Sequence, residues 1–415
     1  MSRRLRIDFL APPFAGHLYP LLQLAKGLAD RGFDSIRFFS TPEAESAIKA
    51  SGFSLCPLVS DRSHIVFEIA NTDQPIGSNP LRLHGQFKLN LSLMSQLRSE
   101  LQEAWSHERP DLVVADFTVP VAGLLARQIG IRWWTSLPTV CVLDTPDGTP
   151  AYLGGWAPPK SFVGQFRDTF GRQLVRGFKR GVYRAYRGDL KQLGLDAIYR
   201  QDGYEAIYSE ERILGLGIRE FEFPCRWPAS LDFIGPLTAS PTRNHQSPCF
   251  VEGKRHVLVS LGTHLRWAKE RARKIMRQLA KHRRDLVVHF THGDYELDEV
   301  ASEGNFFSYP YIPYQAWIDR YDAVIHHGGT GVTYACIRAG IPVLVWPQDY
   351  DQFDHAARIV HHGIGLRLRP DPQLIGEDLN RLWGDRVIQE NVRAFSGYAA
   401  GYRPVEQVAD WLAEV

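Results

Sequence analysis

The chain has 415 residues, 44% hydrophobic and 23% charged, with 48 basic side chains against 46 acidic ones. That composition suits a soluble globular protein of two large domains and excludes wholesale disorder, a collagen-like repeat and a disulfide-stapled miniprotein. A formal net charge of +2 argues against a dedicated nucleic-acid binder, which needs a net basic face. The 5 cysteines (Cys56, Cys141, Cys225, Cys249, Cys336) are odd in number, widely spaced and form no CxxC pair, as expected of free thiols in a reducing compartment. No apolar run reaches the ~18 residues of a membrane span. Asp8, Pro12 and Pro13 interrupt the only stretch that could serve as a signal-peptide core, so a cytoplasmic location is expected.

Residues 5–11 (LRIDFLA) read as a buried strand. A helix follows over 16–31, with Leu18, Leu21, Leu22, Ala25, Leu28 and Ala29 near helical spacing and a stop at Arg31-Gly32. Strands at 35–40 and 53–58 flank a short helix at 42–51. After a loop at 71–80 come a long helix over 83–108, a strand at 111–116, a helix at 119–129 and a strand at 131–136. Such alternation predicts a parallel sheet covered on both faces. Residues 137–210 break the pattern. They hold the aromatics Trp156, Phe162, Phe166, Phe170, Phe178, Tyr183 and Tyr186, and a basic series from Arg167 through Arg172, Arg176, Lys179, Arg180, Arg184 and Arg187 to Lys191. Aromatics packed inward beneath a solvated basic face is the expected arrangement. An acceptor-binding wall and a peripheral contact with anionic lipid are the alternatives.

Residues 236–254 are polar and Pro-rich and read as a linker. Beyond it the alternation restarts: strands at 256–260, 285–290, 323–327 and 342–346, helices at 266–282, 331–339 and 351–362, and a mostly helical tail from 387. The predicted organisation is an N-terminal domain over 1–235, the linker, a second doubly wound domain over 255–390, and a tail over 391–415 packing back toward the first domain. Ligands in such folds sit at the carboxyl ends of strands and at helix N-termini, which places the site in the cleft between the halves.

The segment 325–359, IHHGGTGVTYACIRAGIPVLVWPQDYDQFDHAARI, carries the strongest chemical signal. A strand ends at His326-His327, a Gly-Gly-Thr-Gly turn follows, and a helix begins. Glycines allow close backbone approach, and the helix N-terminus offers free N–H groups and positive potential, so the turn reads as a phosphate cradle with His327 at its lip. It lacks the Lys-Ser/Thr of a Walker loop and the third glycine of GxGxxG.

This segment resembles the donor motif of the inverting nucleotide-sugar glycosyltransferases that act on plant secondary metabolites, macrolides and carotenoids. The shared pattern is His327-Gly328-Gly329-x-Gly331, then Ala339-Gly340-x-Pro342, Pro347, and Asp351-Gln352. The resemblance runs in order along nearly the whole chain and implies the GT-B fold, an α/β architecture of two Rossmann-like domains facing across a cleft. It also implies that His327 and the turn Gly329, Thr330, Gly331, Val332 and Thr333 hold the diphosphate, and that Asp351 and Gln352 hydrogen-bond the sugar. Where Val332 stands many relatives carry a small hydroxyl residue, so a side-chain hydroxyl would here come from Thr330 or Thr333. The segment VSLGT (259–263) matches the family's phosphate-side loop and nominates Ser260, Gly262 and Thr263. Tyr311 in YIPYQAWI (311–318) takes the place of a tryptophan that stacks on the nucleotide base.

His17 in PPFAGHLYP (12–20) aligns with the family's catalytic histidine and Asp116 in LVVADF (112–117) with its carboxylate partner. Imidazole titrates in the range a base for an alcohol needs, the helix N-terminus disfavours its cation, and a carboxylate opposes that and fixes the tautomer. The implied reaction is a single displacement with inversion. A hexose, glucose for preference, passes from a UDP-sugar rather than a dTDP-sugar to a small apolar acceptor. No cofactor or metal is expected, because the Asp349-Tyr350-Asp351 triplet overlaps the sugar motif and the pairs His326-His327 and His361-His362, with His289 and His292, lack metal-ligand spacing. The chain is expected as a monomer or homodimer. An epimerase on the same fold and a non-catalytic nucleotide-sugar binder remain as alternatives. A nicotinamide dehydrogenase ranks low, since the first turn is APPFAGHLYP and not GxGxxG.

Overall fold

A computed structural model describes residues 5–70, 80–241, 246–264, 266–294, 297 and 299–414. The first sheet contains β1 (Ile7–Leu10), β2 (Ile36–Ser40), β3 (Ser54–Pro57), β4 (Leu112–Asp116), β5 (Arg132–Leu137), β6 (Arg212–Gly215) and β7 (Leu231–Phe233). Its order is β3-β2-β1-β4-β5-β6-β7 with every neighbouring pair parallel. The second contains β8 (Arg255–Ser260), β9 (Leu286–Thr291), β10 (Ala301–Glu303), β11 (Phe306–Tyr309), β12 (Ala323–His326), β13 (Val343–Val345) and β14 (Gly365–Arg367). Its order is β10-β11-β9-β8-β12-β13-β14, parallel except for β10 against β11. The fold is α/β, and each half is a Rossmann-like domain.

Buried central strands explain the sequence pattern. Strands β1, β4, β8 and β12 are covered on both faces, so they read as apolar runs rather than alternations. Asp8 is the exception within β1. It is fully buried and takes the Arg37 guanidinium at 2.8 and 2.7 Å and the Trp105 indole N–H at 2.9 Å. The short strands at or next to the sheet edges, β6, β7, β10, β11 and β14, left no clear period in the sequence, since three or four residues are too few to show one.

The strand order reverses between β1 and β4 and again between β8 and β12. In open α/β sheets those reversals open the crevices that receive ligands. The two domains meet through a fully covered ion pair, Arg358 Nε to Glu222 Oε2 at 2.8 Å, and through Ile218 and Phe221, which join the core of the second domain. Helix Pro404–Ala413 crosses back to the first domain. Val408, Ala409 and Leu412 enter its core, and Val405 fills the space where a Gly27 side chain would stand.

Residues 137–210 correct the sequence expectation. Helix Phe162–Ala185 turns Arg167, Arg172, Arg176 and Lys179 inward and its phenylalanines outward, while Arg180 and Arg184 stay exposed. Arg167 binds Asp168 at 2.8 Å, Arg176 binds Asp144 at 3.2 Å, Lys179 binds Glu205 at 2.8 Å, and Arg172 donates to the Gly148 carbonyl at 2.8 Å. These carboxylates lie outside the helix or on its inner side, and helical spacing alone could not reveal them.

Candidate functional site

His17 stands in the first turn of helix Ala15–Ala29, which leaves β1 at the strand-order reversal, and Asp116 ends the neighbouring strand β4. The His17 Nδ1 lies 3.0 and 3.1 Å from the two oxygens of Asp116. Asp116 is fully buried, and Oδ1 also accepts the Thr118 N–H at 3.0 Å and the Thr118 hydroxyl. It closes a turn before helix Pro120–Gln128 without capping it, because the N-cap there is Val119. With Nδ1–H donated to Asp116, the lone pair of Nε2 is left for another partner. A quarter of the His17 side chain remains open. Burial disfavours the imidazolium, but the charge and hydrogen bond of Asp116, helped by Asp351, outweigh it and hold the His17 pKa above its ordinary value. The carboxylate therefore prevails over burial.

The second reversal carries the glycine turn. His327 follows β12, and its ring sits between Gly262 and Gly329. A Cβ at Gly329 would stand 2.4 Å from His327 Nε2, and one at Gly262, where φ is +75°, 2.8 Å from its Cε1. Both glycines are thus required by the histidine itself. A Cβ at Gly331 would meet nothing within 4 Å, which leaves that side of the turn open to a ligand. Burial lowers the His327 pKa to about 4, so at neutral pH it offers a hydrogen bond and no charge. Its Nδ1 is buried without a hydrogen-bond partner. Helix Thr330–Ala339 makes its first backbone bond from Thr333 N–H to the Gly329 carbonyl at 3.1 Å, so the N–H groups ahead of it point out of the helix end.

Several nominated side chains have other work. Val332 is 3% exposed and packs in the core, leaving only its N–H for a ligand. The Thr333 hydroxyl donates to the Gly329 carbonyl at 2.8 Å, so of the two threonines it is Thr330 that stands at the open helix end. Ser260 is fully buried and bonded to the Tyr314 hydroxyl at 2.7 Å. Thr263 meets His264 Nδ1 at 3.1 Å. Tyr311 is 5% exposed, so its ring presents no open face for a base to stack on, contrary to the expectation for it. The Gln352 side-chain oxygen accepts the backbone N–H groups of Gln348 and Asp349 at 2.9 and 3.2 Å, fixing the loop before Asp351.

Sequence reasoning missed a network across the domains. The Thr139 hydroxyl, from just beyond β5, donates to Asp351 Oδ2 at 2.6 Å and lies 3.1 Å from His355 Nε2. Cys141 Sγ lies 3.7 Å from the same nitrogen. Burial raises the pKa of the Asp351 carboxyl, but His355 and Thr139 outweigh it and keep Asp351 below the usual value. Cys141, Asp351 and His355 each offer a ligand atom within 4.8 Å of the others, a grouping invisible in sequence because 210 positions separate Cys141 from Asp351. The Thr139 hydroxyl already joins all three through contacts of 3.4, 2.6 and 3.1 Å. His289 is satisfied within the core by the Tyr321 hydroxyl at 2.9 Å and the Cys249 carbonyl at 3.0 Å.

Beside the dyad lies a cavity of about 240 Å³ lined by Phe14, Phe39, Leu58, Val66, Leu97 and Thr118, among others. Its lining is overwhelmingly apolar, and it shares Phe14 and Thr118 with the surroundings of His17 and Asp116. Phe14 also packs edge-on against His264 of the second domain, with ring centroids 4.8 Å apart. Three non-glycine residues with positive φ lie along the same cleft: Val59 (45°) in the cavity wall, Tyr152 (64°), whose N–H binds Asp354, and Tyr350 (54°), beside Asp351. Backbone strain of this kind concentrates at functional sites.

Two Rossmann-like domains with their strand-order reversals facing one cleft define a GT-B glycosyltransferase fold. A solved glycosyltransferase of kitacinnamycin superposes with a TM-score of 0.73 at 21% identity, over 100% of this chain and 99% of that one. Residues 273–414 match the family model described as erythromycin biosynthesis protein CIII-like, C-terminal domain. The chain is 24% identical over 400 residues to 4'-demethylrebeccamycin synthase of Lentzea aerocolonigenes, covering 94% of this chain and 91% of that one. It is 23% identical over 367 residues to zeaxanthin glucosyltransferase of Pantoea ananas, covering 86% and 83%. Along most of its length the chain is thus similar to natural-product and carotenoid glycosyltransferases, and its fold is GT-B.

Proposed function

We propose that the protein transfers a hexose, glucose for preference, from a UDP-sugar to a hydroxyl of a small, largely apolar acceptor with inversion at the anomeric carbon. His17 Nε2 takes the acceptor proton while Nδ1–H stays on Asp116. The acceptor oxygen forms the new bond to the anomeric carbon as the bond to the diphosphate breaks on the opposite face, and the nucleoside diphosphate leaves with the electron pair. The glycine turn, the first N–H groups of helix Thr330–Ala339 and a neutral His327 stabilise that leaving group by hydrogen bonds and the helix dipole, without a metal. Asp351 orients the sugar hydroxyls, and Gln352 holds the loop that presents it.

The observation that carries this reading is the His17–Asp116 dyad, with Nε2 left over, beside an apolar cavity and within the field of Asp351. The zeaxanthin glucosyltransferase relative supports both glucose and an apolar acceptor. The test is nucleotide release from UDP-glucose and dTDP-glucose with a panel of phenolic, polyketide and terpenoid alcohols, with and without EDTA, in wild type and His17→Ala. Acceptor-dependent release that survives EDTA and vanishes in the variant is expected. Conversion of the sugar nucleotide without any acceptor, or full activity in the variant, overturns the proposal.

A further inference from the structure

The outward face of helix Phe162–Ala185 carries none of the residues proposed for glycosyl transfer, and it exposes large apolar side chains in a row. Phe162, Phe166, Phe170, Leu174 and Phe178 recur every fourth residue and are 81, 71, 62, 55 and 61% exposed, with Val163 at 77% beside them. Single exposed apolar residues are ordinary, but a contiguous stripe of six marks an interaction surface. At 1.5 Å per residue the stripe runs about 24 Å along the helix. The helix is well founded: the Ser161 side chain caps it by accepting the Gly164 N–H at 3.2 Å, and its inward arginines and lysine are tied to carboxylates and carbonyls.

Charge identifies the partner. The exposed ionisable residues of 160–192 are five basic (Lys160, Arg180, Arg184, Arg187, Lys191) and one acidic (Asp189). Arg180 lies 5.4 Å from the Tyr199 ring, and no carboxylate pairs with Arg180, Arg184, Arg187 or Lys191 among the described residues. Arg180 and Arg184 follow the stripe within the same helix, so apolar and cationic groups share one exposed face. A second copy of this chain offers no exposed carboxylate on that helix to receive them, because Asp168, the helix's one acidic residue, is 2% exposed and bound to Arg167. Aromatic and leucine side chains beside arginines are the composition of a helix lying in the interface of an anionic bilayer. The helix also begins at the cleft rim. In the segment leading to it the Tyr152 N–H binds Asp354 at 2.9 Å, and Gly155 abuts the Phe353 carbonyl.

We propose that this face docks the protein on an anionic lipid surface, with the phenylalanines in the interfacial layer and the outer arginines and Lys191 on the headgroups. The proposal stands whether or not the glycosyl-transfer reading holds, and its assay involves no catalysis. Flotation with phosphatidylcholine vesicles, with and without phosphatidylglycerol, is the test. Wild type should bind the anionic vesicles about tenfold more tightly than neutral ones, and salt should weaken that preference. Phe166→Ser with Phe170→Ser should lose about tenfold or more on both vesicle types, and Arg180→Glu with Arg184→Glu should lose binding to the anionic ones only. All these positions are exposed, so melting temperatures should match wild type, and the charge pair tests the face independently should the serine pair fail to fold. No binding of wild type to anionic vesicles, or variants that bind as wild type does, overturns the proposal. So does a wild-type dimer in sedimentation that the serine pair dissolves, because the stripe would then be a protein interface.

Discussion

Replacing Asp116 by Asn isolates the electrostatics of the proposed base. The carboxylate accepts three donors: His17 Nδ1–H, the Thr118 N–H and the Thr118 hydroxyl. An asparagine has one acceptor oxygen, and Thr118 donates to it twice, which leaves the amide NH₂ facing His17. The imidazole then carries its proton on Nε2 and cannot accept one from an alcohol. The charge is lost as well. With Nδ1 at 3.0 and 3.1 Å from the carboxylate oxygens, the charge centres are about 4 Å apart, and at an effective dielectric of about 20 the carboxylate stabilises the forming imidazolium by about 4 kcal/mol. That corresponds to about a thousandfold in rate. Steady-state kinetics with the best acceptor should show kcat down by about that factor and the donor KM little changed, since Asp116 lies in the other domain from the glycine turn. In wild type, kcat/KM should rise from acid pH through a midpoint above the ordinary imidazole value of about 6.5, because His17 must be neutral to act and Asp116 favours its cation. Asp116→Asn should move that limb to lower pH. Retention of more than about a tenth of kcat, with an unmoved acid limb, would refute the reasoning, because a base with a tautomer fixed by Asp116 is worth at least about a hundredfold.

The glycine turn separates folding from binding. Gly329→Ala should weaken nucleotide binding by about tenfold in calorimetry, since its Cβ displaces the His327 ring, whereas Gly331→Ala should leave the melting temperature unlowered and still weaken binding if the open side faces the ligand. Wild-type affinity in both variants would place the diphosphate elsewhere. Val66→Phe should fill part of the 240 Å³ cavity and raise the acceptor KM without changing the donor KM; an unchanged acceptor KM would remove this cavity from the acceptor path. Glu222→Ala leaves Arg358 buried without its carboxylate between the domains and should cost about 3 to 5 kcal/mol in denaturant unfolding. A loss under about 1 kcal/mol would mean that Asp354, whose carbonyl already accepts from Arg358 at 3.1 Å, compensates.

The alternation of apolar runs with helical periods determined the two doubly wound halves, because a central parallel strand buried on both faces leaves a mark in sequence that needs no partner to be recognised. The glycine turn and the His17 helix start were legible for a similar reason. Local chain conformation and the free N–H groups of a helix end are properties of adjacent residues. What lies far apart in sequence was decided only on folding. Thr139, Cys141 and His355 gather around Asp351 because β5 and helix Gln352–His361 come from different domains and meet at the cleft. The same holds for Glu222 under Arg358. Tyr311 was matched to a base-stacking tryptophan by position along the chain, yet its side chain is buried. Helix Phe162–Ala185 makes the point from the other side. Its pattern showed an aromatic and a basic series, but two amphipathic solutions satisfy that pattern equally. Asp144 and Glu205, brought beneath it from outside the helix, drew Arg176 and Lys179 inward and left the phenylalanines facing out, because an unpaired buried carboxylate costs more than an exposed ring.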